Sequence, residues 1–219
     1  MTDTTTQPGA APLSGRRAQA ARNDEVILAA ARAVFLEDPA APVSAVAERA
    51  GVGISALYRR YPSKEELLRT LCSDGLAAYT EAVRAALDSL AAGRDAWESF
   101  AAFMRRVVDA GSTSLTTRLA GTFRPSEQLY RDAILAEELN HQLVERLHAA
   151  GALRPDIEVA DLGLILEQIA SVRLGDERRT GALRHRYLAL ALDALRPGAG
   201  DALPGPAPTP EELAARWRV

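Results

Sequence analysis

One cysteine, Cys72, and one lysine, Lys64, are all that the 219 residues contain of those two types. A single cysteine excludes an intrachain disulfide framework and a thiolate-rich zinc site, and suits a reducing cytoplasmic setting. With one lysine, positive charge rests almost wholly on arginine. Aromatic residues are scarce at 5%, so any cluster of them is informative. No run of about 18 apolar residues occurs, which excludes a membrane span. Met1 to Arg17 is polar with its two arginines at the end, and so is no signal peptide; the chain reads as soluble and unexported. Alternating stretches rich in Val, Ile or Thr are missing, so strands are not expected. Catalytic constellations are missing too: there is no Ser-His-Asp order, no His-x-x-x-His, no phosphate-cradling glycine loop and no clustered carboxylate pair beside a base. His141 and His148, without a nearby cysteine or close histidine spacing, make a poor metal site. The expectation is therefore no enzyme, no metal and no cofactor.

What remains is a helical chain. With 47% hydrophobic and 25% charged residues it is no disordered protein and has material for one large domain or two small ones. Abundant alanine favours helices. Met1 to Gly15 has no apolar periodicity and reads as a mobile arm leading into Arg16, Arg17 and Arg22. From Asn23 or Asp24, Val26, Ile27, Ala30, Ala31, Val34 and Phe35 recur at helical steps until Pro39 and Pro42. Two short helical stretches flank Gly51-Val52-Gly53, and Ser63 with Glu66 forms a capping-box pattern opening a helix that can run to about Leu90. Further helices are expected over Asp95 to Ala110, Ser114 to Thr122, Ser126 to Ala150, Glu158 to Leu174 and Thr180 to Leu195. Pro197 to Pro210 reads as a low-complexity linker before a short basic tail. The fold class is all-α, with an arm over 1–21, a first domain over 22–70, a helical domain over 71–196 and a tail over 197–219.

The segment from Val43 to Tyr61 has helix-turn-helix spacing. Ala47 is small where the second helix crosses, and Gly51 can take the left-handed conformation that ends the first. Val46, Ala50, Val52 and Leu57 then point inward, leaving Ile54, Ser55, Ala56 and Arg59 on the face that enters a major groove. An ordinary αα-hairpin has the same spacing. Against it stand Tyr58, Arg59, Arg60 and Tyr61 in succession, followed by Lys64, a cluster suited to phosphate. Residues 1–70 hold nine Lys or Arg against eight acids, and the rest hold 17 against 21, so positive charge is skewed to this end. A helical interaction module whose basic face binds a protein or a membrane surface is the alternative; steep salt dependence on duplex DNA separates the two.

At these residues the chain resembles the tetracycline-repressor (TetR) family of bacterial transcriptional regulators. The family's three N-terminal motifs appear as Ile27-Leu28-Ala29-Ala30-Ala31, as Val46-Ala47-Glu48-Arg49-Ala50-Gly51-Val52, and as Leu57-Tyr58 through Lys64-Glu65-Glu66-Leu67. Departures are Pro42 where a capping Thr is usual, Gly53 where a Ser is usual, and no glycine between the first two helices. The resemblance implies an N-terminal DNA-binding domain and a C-terminal helical bundle for ligand binding and dimerisation. It implies that Tyr58, Arg60 and Lys64 hold phosphates, that Ser44, Ile54, Ser55 and Ala56 face base edges with Arg59 beside them, and that Arg16, Arg17 and Arg22 reach a minor groove or backbone. Three of the four base-facing residues are short or apolar, so direct readout should be thin.

The second region carries no motif. Trp97, Phe100 and Met104, with Phe103 and Val107, form an aromatic stripe followed by Phe123 and Tyr130. Plain core is one reading; a pocket for an apolar or amphipathic small molecule, with Asn140 orienting it, is the other. Glu158 to Leu195 supplies two helices with the small residues Gly163 and Ala170, suited to a two-fold four-helix interface, in which a charge at Ile169 should leave monomers. The partners expected are thus a double-stranded DNA operator, a small-molecule ligand and a second copy of the chain, with no membrane.

Overall fold

A computed structural model of the chain describes residues 15–111, 119, 121–198 and 200–215. Among them are nine helices and no strand. They are α1 (Gly15–Glu37), α2 (Val43–Ala50), α3 (Ile54–Arg60), α4 (Lys64–Ala91), α5 (Ala96–Ala110), α6 (Glu127–Ala149), α7 (Val159–Ser171), α8 (Glu177–Ala194) and α9 (Pro210–Ala214). No helix among the described residues is long and apolar enough to cross a membrane.

Local chemistry explains most boundaries. Gly51 takes φ 66° and gives its N–H to Glu48 O, while the Val52 N–H reaches back to Ala47 O, which closes α2. Ser63 accepts the Glu66 N–H at 3.1 Å and starts α4. The reciprocal half of the expected capping box does not form; the Glu66 carboxylate faces Arg69 instead. Asp95, Ser126 and Asp176 cap α5, α6 and α8 in the same way. Asp176 is why α8 begins at Glu177 rather than at Thr180.

Two expectations at the ends are corrected. Helix α1 starts at Gly15, so residues 15–21, assigned to the arm, are helical: Arg16, Arg17, Ala18, Gln19, Ala20 and Ala21 are all strong helix formers that need no apolar stripe. The Pro/Gly-rich stretch after Pro197 is tied down rather than a free linker. Arg154, 8% exposed, donates to Asp201 O at 2.8 Å and to the Asp156 carboxylate, whose second oxygen accepts the Leu203 N–H at 2.9 Å. Thr209 and Glu212 then form a capping box that opens α9. Most of the expected Ser114–Thr122 helix lies outside the described residues, which hold only Leu119, Gly121 and Thr122 of it, with the last two in a turn; the first 14 residues lie outside them as well.

The helices enclose two cores. The first collects Ile27, Ala31 and Phe35 of α1, Val46 and Ala47 of α2, Leu57 of α3 and Leu67, Leu68 and Leu71 of α4. The second collects Val83 and Leu87 of α4 with Phe100, Met104 and Val107 of α5, Leu143 and Leu147 of α6, Leu166 of α7 and Leu188 of α8. Helix α4 belongs to both. At 28 residues it is roughly 42 Å long, at 1.5 Å per residue, and packs most extensively on α6 and α5.

Candidate nucleic-acid interface

Helix α3 is short and is held from beneath by Leu57, which is fully buried against Val46 and Ala47 of α2. One turn of helix then sets the opposite arc outward. Ile54 is 40% and Tyr58 47% exposed; Ser55 and Arg59 are exposed and Ala56 half-buried, and Ser44 in the first turn of α2 is exposed beside them. The structure thus leaves six of the expected DNA-facing residues at least partly exposed, five of them on α3. The side chains there, two hydroxyls, one phenol, one guanidinium and two apolar groups, suit shape and phosphate contact more than base reading. Gly53 precedes α3 with no side-chain cap and its carbonyl takes the Ala56 N–H, leaving the Ile54 and Ser55 N–H groups open to an anion.

Two expected phosphate ligands are already engaged. Arg60 grips the Asp24 carboxylate of α1 in a bidentate pair, Nε to Oδ1 at 2.7 Å, and its guanidinium is 61% exposed. Tyr61 beneath it is buried, and burial with the nearby Asp24 charge pushes its hydroxyl upward. Lys64 corrects the expectation more strongly. Its ammonium donates to Pro39 O at 2.9 Å and Ala41 O at 2.8 Å, and lies 5.1 Å from the Phe35 ring centre. In the free protein it clasps the α1–α2 turn rather than standing open to phosphate. Arg22 is exposed on α1; Arg16 and Arg17 lie in the first turn of α1, their side chains outside the described residues.

The first core is not closed by α1–α4 alone. Leu119, Phe123 and Leu129, from the turn before α6 and its first turn, are buried in it. Arg69 Nε donates to Arg124 O at 3.0 Å while its Nη2 bonds Glu65. Sequence periodicity carried no sign of this, because contacts across more than 50 residues leave no local pattern. Phe123 therefore belongs to the DNA-binding core, not to the aromatic stripe. Tyr130, at 65% exposed, lines no interior pocket. Both corrections have one cause: α6 begins at the first core, with Leu129 inward and its neighbour Tyr130 turned out.

The stripe itself is filled core. Phe100 and Met104 have no exposure, Trp97 is half-buried, and the rings of Trp97, Phe100 and Phe103 follow one another at 5.7 and 6.4 Å. Asn140 is satisfied: Tyr79 Oη donates to its Oδ1 at 3.0 Å, and burial pushes the Tyr79 hydroxyl up to about 12. Two hollows lie elsewhere. One, between α5, α7 and α8, is walled by Val107, Leu166 and Ile169 and closed by Arg184, whose guanidinium donates to Ala170 O and Val172 O. The other is an open cleft between Trp97 and Arg105 of α5 and one flank of α8.

Residues 27–71 match the family model of bacterial regulatory proteins of the tetR family, and residues 95–197 match the C-terminal domain of SbtR-like transcriptional regulators. Among solved structures, the TetR transcriptional regulator SCO0520 from Streptomyces coelicolor is 30% identical, with 80% of this chain and 99% of that one covered and a TM-score of 0.53. LfrR from Mycobacterium smegmatis, solved with proflavine, is 22% identical over 84% and 99% at a TM-score of 0.62. The ketosteroid regulator KstR2 of Mycobacterium tuberculosis is 21% identical over 80% and 95% at 0.55. Among curated proteins nothing matches.

Proposed function

The chain belongs to the tetR family of bacterial transcriptional regulators, and from that premise we propose that it is a ligand-released repressor that binds a palindromic operator as a homodimer in the cytoplasm. The observation that carries DNA binding is the outward arc of α3, Ile54, Ser55, Tyr58 and Arg59, held rigid over buried Leu57. Tyr58 and Arg59 take phosphate directly. Arg60 takes it by sharing its guanidinium with Asp24, and Arg22 with the arginines of the first turn of α1 extends the contact along the backbone.

A dimer is supported by the outer face of α7 and α8. Tyr187 and Leu190 on α8 are 46% and 58% exposed, and a Cβ added to exposed Gly163 on α7 meets nothing within 4 Å. Two such faces, related by a two-fold axis, form a four-helix seam and set two recognition helices for successive major grooves. Ligand response follows the relatives: LfrR was solved with proflavine and KstR2 is a ketosteroid transcriptional regulator. An apolar ligand here has to displace side chains, since Phe100 and Met104 fill the space expected for it.

The test is selection of duplexes from a random library by the full chain, followed by titration against salt. A two-fold symmetric consensus, bound with a steep salt slope, is the expected result. Binding indifferent to sequence symmetry, or only to a protein or lipid surface, defeats the reading.

A further inference from the structure

The open cleft on α5 is a built site of a different kind from the interior stripe. Its volume is about 140 Å³, close to the roughly 150 Å³ that admits a benzene-sized ring. Its floor is apolar: Leu188 and Leu192 are buried, and half-buried Trp97 forms the end wall. Its rim is charged with both signs. Arg196 lays its guanidinium over the Trp97 ring, 4.2 Å from the centroid. Turned onto the ring, it pairs with no carboxylate among the described residues, not even Asp193 three residues earlier, which also lines the cleft. Glu98 and Arg105 meet only at 4.0 Å. On the α8 helical wheel Leu188 and Leu192 lie on the flank away from Tyr187 and Leu190, with Arg196 just beyond the helix end, so the apolar floor faces away from a dimer seam on those residues while Asp193 borders it.

An aromatic wall, an apolar floor and unspent charges of both signs define the ligand. A simple anion drawn to Arg196 brings its charge beside Asp193 and Glu98, and a simple cation meets the two guanidiniums. A planar ring with one carboxylate and one ammonium offers both a partner, and its faces meet the apolar floor beside the Trp97–Arg196 stack. We propose that the α5–α8 cleft binds a single-ring aromatic zwitterion, its carboxylate on Arg196 and Arg105 and its ammonium on Asp193 and Glu98. The site adds a place and a chemical class for a ligand to the regulator reading, and its test measures binding alone.

The experiment is calorimetric titration of the full chain with para-(aminomethyl)benzoate, benzoate and benzylamine. The zwitterion should bind saturably and about tenfold or more tighter than either singly charged ring, and Arg196→Gln and Asp193→Asn should each weaken it about tenfold. Both positions are exposed, so both variants should fold, and their duplex-DNA affinity without added probe should equal that of the unaltered chain. No saturable binding, equal affinity for benzoate, or variants that bind like the parent would overturn the assignment. A loss of DNA binding in the parent chain would instead count against the regulator reading, leaving the cleft result to stand separately.

Discussion

Lys64 shows how one side chain changes meaning between sequence and structure. Next to Tyr58 and Arg60 it reads as a phosphate ligand, yet two of its three donors close on Pro39 O and Ala41 O. Lys64→Met should therefore cost stability, about 1–3 kcal/mol for two carbonyls left unpaired in a half-buried turn. Thermal melting measures it, and an unchanged melting temperature with a shallower salt slope on DNA would restore the phosphate role. Asp24 is the converse case, an acid that holds an arginine proposed to face DNA. Asp24→Asn releases Arg60, so duplex affinity should rise and the salt slope steepen by about one unit; filter binding across a salt series reads both. Asp156 carries the pH dependence. Bidentate bonding from Arg154, reinforced by the Leu203 N–H, holds its carboxyl well below the usual carboxylate range. A depressed folded value gives stability that is complete above the unfolded pKa, about 4, and is lost as pH falls below it. The melting-temperature difference between the parent and Asp156→Asn should accordingly be present at pH 7 and shrink below about pH 4.

At the scale of elements, the join between the two cores matters more than either core. Helix α4 contributes Leu67 and Leu71 to one and Val83 and Leu87 to the other, so displacement along it reaches both. The turn before α6 makes a second connection by burying Phe123 beside Leu119 and Leu129 and binding Arg124 to Glu65 and Arg69. Phe123→Ala should destabilise the DNA-binding domain by about 3–5 kcal/mol, measured by chemical denaturation of the full chain, although Phe123 lies far outside residues 22–70. Met104 belongs to the opposite case. With no exposure and Phe100, Phe103 and Val107 buried in the same core, Met104→Trp overpacks that core, at about 1–3 kcal/mol.

For the whole molecule the question is which surfaces face a second copy. Ile169, the position chosen from sequence to test the interface, is 5% exposed and sits in the core of a single chain. A charge there breaks the fold before it tests any dimer. Leu190 and Tyr187 are the residues to charge: Leu190→Glu should shift sedimentation from dimer to monomer while leaving the helical signal intact, and dimers of unchanged stability would move the seam elsewhere. Cooperative operator binding should fall with it, because half-site spacing needs both recognition helices on one body.

What the sequence determined by itself is local: the α3 arc above Leu57, the Gly51 turn, the Ser63 cap and the helical periods. Each depends on residues within one or two turns of one another, where propensity, capping and the 3.6-residue repeat act directly. The three ordered N-terminal motifs carried the family for the same reason. Tertiary structure alone decided which face of each helix was left over. The 158–195 stripe supplies both core and the exposed face proposed as the seam, and only the packing of α7 and α8 on α5 sends Ile169 inward and Leu190 out. It also decided the partners of charged groups, such as Lys64 on the 39–41 carbonyls, Arg60 on Asp24 and Arg154 on Asp201. Distances between residues 23 to 47 positions apart have no periodicity to reveal them, so a residue's type fixed its chemistry while its partner waited on the fold.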